Sequence, residues 1–198
     1  LNASLAIVLL FQFVWITLAA ELIIARRRPT VREVIAVLMA LAGTVLSVGG
    51  VPGQAFRELS MIGLLFGFLS SFSYSAFLLF AGRVGKDLEP ALKSAFMYSC
   101  SFPVVWLVYW PFSWIGEISG SLLGWALVLG LLGAGIPTLM FNIGIPRIGS
   151  PAAAIIGSAE LPVAVIGSAL VLHESVGWMQ WIGMALIIAS IVISKQKE

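Results

Sequence analysis

The sequence predicts an all-α polytopic membrane protein with seven transmembrane helices. Three observations predict it. Of 198 residues, 60% are hydrophobic and only 10% are charged, where soluble domains carry about 25% charged residues. Seven apolar runs each approach the roughly 20 residues that cross the hydrocarbon core as a helix. The basic residues collect in every second connection between those runs, as the two faces of a membrane require. A soluble chain of this size has too little interior to hide so much apolar surface, and disordered chains are poor in apolar residues.

The first run, 3–24, ends at Arg26-Arg27-Arg28. The stretches 34–56 and 59–82, which take in the second run, 33–50, except its first residue Glu33, and all of the third, 60–81, hold no charged residue. The fourth, 93–112, has Lys93 at its edge. The fifth is 121–141. The sixth, 150–172, carries Glu160 near its middle, and the seventh, 176–194, ends before Lys195. Backbone groups in hydrocarbon must be satisfied within the segment, so the runs should be helices. The alternating ten-residue segments of a barrel are absent. Short connections imply antiparallel neighbours.

Charge sets the topology. The segment after the first run holds Arg26, Arg27, Arg28 and Arg32; the third connection Arg83, Lys86 and Lys93; the fifth Arg147; the tail Lys195 and Lys197. The opposite face holds Arg57 alone. The basic face is expected to be cytoplasmic, which puts the N-terminus of the chain outside and its C-terminus inside. The arginine cluster reads as this topology signal rather than as a binding site.

Residues 4–47 slide onto 151–194 without a gap: Ala6 falls on Ala153, Ile35 on Ile182, Ala42 on Ala189, Val45 on Val192 and Ser47 on Ser194. Each copy is a long span, a short link and a second span. The charge count puts the two links on opposite faces, so the copies have inverted topology, a signature of secondary transporters with a midplane site. The chain opens on Leu1, not Met, and the later copy follows three further spans. The expectation is a first repeat that lacks its first three helices.

The chain resembles the drug/metabolite transporter superfamily, EamA type, whose plan is a ten-helix bundle of two inverted five-helix repeats. The resemblance is carried by Ile148-Gly149-Ser150-Pro151-Ala152-Ala153-Ala154, similar to the start of the family's ninth helix, and by Glu160-Leu161-Pro162-Val163 within it. Glu174, Gln180 and Trp181-Ile182-Gly183 look like the run into the tenth helix; Pro29-Thr30 and Ala42-Gly43-Thr44-Val45 resemble the matching part of the first copy. Two positions depart: Arg27 stands where the second copy has Glu174, and Trp15 where it has Pro162. The resemblance implies that 1–50 closes the first repeat, 51–59 connects the repeats, 60–194 is the second repeat and 195–198 a cytoplasmic tail. It implies a plasma-membrane transporter that exports or exchanges small metabolites or drugs by alternating access. A homodimer is compatible with it.

From the residues themselves, Glu160 stands out. A carboxylate at the bilayer centre costs at least ~2.5–3.5 kcal/mol on insertion scales, and no basic residue lies inside a span to neutralise it. Three states are open: a protonated Glu160, one facing a water-filled cavity, or one paired with a cationic substrate or with a group outside this chain. The first two describe proton coupling, the third a cation site. The competing structural reading is a protonated Glu160 bonded between helices. Pro162 has no N–H, so the Ser158 carbonyl should lose its helical partner, and broken helices line transporter sites. Weaker candidates are Thr138 and Asn142 on one helical face, Tyr74 within a serine-rich patch, and Gln12, which falls opposite Ala159 in the repeat.

Other classes find less support. Cys100 and His173 are the sole cysteine and histidine, so neither a disulfide framework nor a Cys/His metal cluster can form. No metal or cofactor is expected. An intramembrane serine protease needs a Ser and a His buried together, and His173 sits at a span end. No phosphate-cradling Walker loop is present, so no enzyme is expected. Trp106, Tyr109, Trp110 and Trp114 form an aromatic belt rather than a base-stacking platform, and no nucleic-acid partner is expected. A non-transporting membrane assembly or scaffold subunit is the rival reading. It requires neither a midplane carboxylate nor an inverted repeat.

Overall fold

Ten α-helices account for most of the described residues, which are 3–49, 60–85, 87–109, 119–171, 173 and 175–195 of a computed structural model. They are α1 (Ala3–Leu10), α2 (Phe13–Ala25), α3 (Val31–Ser47), α4 (Met61–Arg83), α5 (Pro90–Tyr109), α6 (Gly120–Val128), α7 (Ile136–Ile148), α8 (Ser150–Gly157), α9 (Glu160–Val171) and α10 (Trp178–Lys195), with a π-helical stretch, Leu129–Gly135, between α6 and α7. No strand occurs among the described residues. The connection 51–59, Lys86, Trp110, Trp114, Glu174 and the tail residues 196–198 lie outside them, as does the Tyr109 side chain.

Among the described residues, six helical stretches are long and apolar enough to cross a membrane: Leu5–Ala25, Met61–Arg83, Pro90–Val108, Gly120–Ile148, Ser150–Val171 and Trp178–Lys195. The remaining expected span, 33–50, is the 17-residue α3, at the lower end of the ~17–25 residues that suffice. Two expected spans differ in form. The runs 3–24 and 150–172 are each broken by a turn, at Phe11–Gln12 and at Ser158–Ala159. The 121–141 run extends to Ile148 through the π-helical stretch. Pro137 removes the N–H that would meet the Gly133 carbonyl in an α-helix, and a wider helical register accommodates the loss.

Several hydroxyls are buried and many large apolar side chains face outward. Thr17, Ser47, Ser71, Ser158 and Ser190 are fully buried, while Leu65, Phe66, Phe102, Leu107, Leu127 and Leu170 face outward. Apolar side chains cost nothing against lipid, whereas hydroxyls gain from interhelical partners. The protein is an integral multi-pass membrane protein.

The chain falls into two compact units, Leu1–Phe80 with Ile148–Glu198, and Ala81–Arg147. The seam of the first unit is the α3–α10 crossing. There a β-carbon on Gly43 would stand 2.7 Å from Ile187 Cγ1 and 2.8 Å from the Gly183 carbonyl, so only hydrogen fits between the backbones. The Gln180 side-chain amide donates to the Ser47 carbonyl across the same seam at 3.2 Å. Helix α4 joins by hydroxyl bonds: Ser71 donates to the Leu9 carbonyl, Ser75 and Thr17 pair at 2.9 Å, and Ser150 donates to the Leu78 carbonyl at 3.1 Å.

Within this unit α1–α2–α3 and α8–α9–α10 keep the same bounds, to within one residue, when shifted by 147 positions. The left-handed residues closing α2 and following α9, Arg26 (φ 50°) and His173 (φ 56°), are also 147 apart. Helix α3 opens with a capping box: Thr30 accepts from the Glu33 N–H, and the Glu33 carboxylate accepts from the Thr30 N–H. Arg27 closes on the same carboxylate with bonds of 2.6 and 2.8 Å. That hydrogen bond raises the Arg27 guanidinium above its ordinary value.

Candidate functional site

Glu160 is the eleventh residue of the 22-residue span Ser150–Val171, at its middle. The turn at Ser158–Ala159 makes it the first residue of α9. A carboxylate in the first turn of a helix meets the positive end of the helix dipole. Its side chain is exposed, and no hydrogen-bond or ion-pair partner for it occurs among the described residues. Ser158 and Pro162 beside it are buried.

The expected loss at Pro162 takes a different form. The Ser158 carbonyl gives up its four-residue partner, but it is not left free: the Leu161 N–H donates to it at 3.2 Å. The Ser158 hydroxyl turns back to the Ile155 carbonyl at 2.6 Å. The Ser158 carbonyl is therefore satisfied within the turn and offers a ligand less than a broken helix with an open carbonyl would.

Tyr74, on α4, lies within electrostatic reach of Glu160. Its ring packs on Phe13 at 4.5 Å between centroids and on Phe77 at 5.9 Å. Gln12 is tied locally, donating to the Val8 carbonyl at 2.9 Å and accepting from the Trp15 indole at 2.8 Å. One unit thus contains Glu160, Ser158, Pro162, Tyr74 and Gln12, and places Glu160 near Tyr74.

Thr138 and Asn142 belong to the other unit, where they join α7 to α5. The Thr138 and Tyr98 hydroxyls pair at 2.6 Å. The Asn142 amide donates to the Ser94 hydroxyl at 2.9 Å and to the Met97 sulfur at 3.6 Å. Among the described residues no group of three or more His, Cys, Asp or Glu side chains comes together to hold a metal ion.

Residues 61–195 match the EamA-like transporter family. The chain belongs to that family. It is also 27% identical over 168 residues to a curated protein of Bacillus subtilis strain 168 named "uncharacterized transporter YcbK", an overlap of 80% of this chain and 52% of that protein. The chain thus spans about half the length of the curated relative it matches. No solved structure matches it.

In this EamA-like chain the sequence reading overlooked three groups. Thr17 pairs with Ser75 across 58 residues, a contact that periodicity does not reveal. Lys93, counted as a topology charge, is buried. The Thr30-x-x-Glu33 capping signature was readable from its spacing alone.

Proposed function

We propose that the protein is a secondary transporter that moves small metabolites or drugs across the plasma membrane by alternating access, in export or exchange, with Glu160 as its coupling or substrate-binding carboxylate. The observation that carries this reading is a partnerless carboxylate at mid-span, at the start of α9 and near Tyr74, in a chain of the EamA-like transporter family. Such a group takes up and releases a proton, or binds a substrate cation, as the site changes sides. The 147-residue correspondence of helix bounds supports a repeat within a ten-helix bundle, and the alternating charge of the connections supports its inversion, with the basic connections and the C-terminus cytoplasmic. Ser158, Pro162, Tyr74 and Gln12 surround or mirror the break at Glu160.

The test is proton movement in inverted membrane vesicles, followed by a pH-gradient dye while metabolites and drugs are added singly. Wild-type protein collapses part of the gradient on addition of its substrate. Glu160→Gln keeps the shape but cannot carry charge, so it abolishes the response at near wild-type expression. Glu160→Asp retains part of it. A Gln variant with an unchanged response removes Glu160 from the mechanism.

A further inference from the structure

In the unit Ala81–Arg147, a cavity of about 180 Å³ is lined by Gly85, Leu88, Lys93, Asn142, Pro146 and Arg147, among others. It is smaller than the ~300–1,000 Å³ of drug-sized pockets, and none of its lining residues is acidic. Lys93 is only 8% exposed. Its ammonium donates to the Ala81 carbonyl at 2.6 Å; an ammonium has three N–H bonds, so two remain. No carboxylate pairs with it among the described residues. A buried cation without a counter-charge is costly, and Arg147 adds a second cation to the lining.

Asn142 adds a directional group. It is 3% exposed, and its Oδ1 has no hydrogen-bond partner. Its orientation follows from the network. The Ser94 hydroxyl gives its proton to the Pro90 carbonyl at 2.8 Å, so it can only accept from Asn142, which must turn its NH₂ that way. The carbonyl oxygen is left as an unsatisfied acceptor on a residue that lines the cavity. A buried unpaired acceptor of this kind costs about 1–3 kcal/mol.

We infer that this cavity, lined by Lys93, Arg147 and Asn142, binds a phosphate group that carries a neighbouring hydroxyl or amine. The phosphate oxygens take the free donors of Lys93 and Arg147, and a shift of the Asn142 side chain lets its now occluded Oδ1 accept from the neighbouring donor. Phosphatidylglycerol or phosphatidylethanolamine headgroups supply that pair of groups, and so does monoprotonated free phosphate. Basic pockets between helices at the cytoplasmic surface hold anionic headgroups in this way. The inference requires the membrane setting but not the transport mechanism.

The test uses the purified protein in neutral detergent. Phosphatidylglycerol, phosphatidylcholine and inorganic phosphate are added separately, with lipid retention read by native mass spectrometry and stability by thermal unfolding. Phosphatidylglycerol should be retained more tightly than phosphatidylcholine, which has the phosphate but no N–H or O–H donor. Retention without any response to inorganic phosphate identifies the lipid as the source, and stabilisation by inorganic phosphate identifies the free ion. Arg147→Gln, at an exposed position, should fold normally and weaken binding at least about tenfold through loss of a charge-assisted contact. Asn142→Asp puts a carboxylate in the cavity with Lys93, so it should raise the melting temperature and abolish the phosphate response. Binding of neither probe to wild-type protein overturns the inference. So does wild-type binding by both Arg147→Gln and Asn142→Asp.

Discussion

The α3–α10 crossing can be tested with one β-carbon. At Gly183 that atom would fall against the Ser47 N–H, with Ser47 Oγ and the Gly43 carbonyl both at 2.6 Å. Two of the three obstacles are backbone atoms, so no rotamer change relieves the clash. To reach ordinary contact at 3.4 Å the helices must separate locally by about 1 Å, a gap that forfeits a quarter to a half of each dispersion well. A buried side chain of the size of Ile187 makes ~40–60 atom contacts of 0.1–0.2 kcal/mol each, so losing a quarter of them costs about 1–3 kcal/mol, the range found for overpacked cores. Gly183→Ala should therefore lower the melting temperature of the detergent-purified protein, followed by tryptophan fluorescence. It should also weaken the Gln180 bond to the Ser47 carbonyl. Gly167→Ala is the internal control, because an added β-carbon there meets nothing within 4 Å and the change gains up to ~1 kcal/mol of helix propensity. Equal melting temperatures for Gly183→Ala and Gly167→Ala would refute the close backbone crossing.

Thr30→Ala removes the capping hydroxyl of α3 and should cost about 1 kcal/mol in thermal or denaturant unfolding; no loss of stability would show that the capping box is not formed in solution. Pro162→Ala should leave the break before Glu160 in place and shift the melting temperature less than Gly183→Ala does. A larger shift would make the proline the cause of the turn. Single cysteines at positions 28, 86 and 197 in a Cys100→Ala background should resist an impermeant thiol reagent applied to sealed cells, and ready labelling at position 86 would overturn the proposed orientation.

The membrane class and most helix positions were readable because they depend on summed quantities, namely hydropathy over about 20 residues and charge counted by connection. The break in the second copy was half readable, since Pro162 marks a weak point in any helix. The break at Phe11–Gln12 was not, because no proline stands near it. Glu160 drew attention by its charge in an apolar run, while its placement as the first residue of a helix needed the backbone. Lys93 was misjudged for the opposite reason. At a span edge a lysine ordinarily snorkels to water, and only packing within the unit Ala81–Arg147 reveals that this one is covered. The serine-rich patch at 70–75 resolves into individual bonds, Ser71 to Leu9 and Ser75 to Thr17, whose partners lie some 60 residues away in sequence.

The two broken spans explain why Glu160 stands where it does. Kinks in helices usually trace to proline, but here the turn with a proline and the turn without one share a bonding pattern. In the first, the Gln12 N–H donates to the Leu9 carbonyl at 3.1 Å and the Val14 N–H to the Phe11 carbonyl at 3.2 Å. In the second, the Ala159 N–H donates to Ile156 at 3.0 Å and the Leu161 N–H to Ser158 at 3.2 Å. Each bond has its counterpart 147 residues on, although Trp15 occupies the place of Pro162. A feature that persists when the proline is replaced by tryptophan belongs to the packing of the spans, and Pro162 occupies a position where the helical bond to residue 158 has already been exchanged for a shorter one. The fold therefore fixes the first residue after each turn, and side-chain identity decides what that residue does. Position 13 supplies a phenyl ring that packs on Tyr74, and position 160 supplies a carboxyl group. The two turns thus set positions 147 residues apart as first helical residues, one an aromatic ring packed on Tyr74 and the other a carboxyl group.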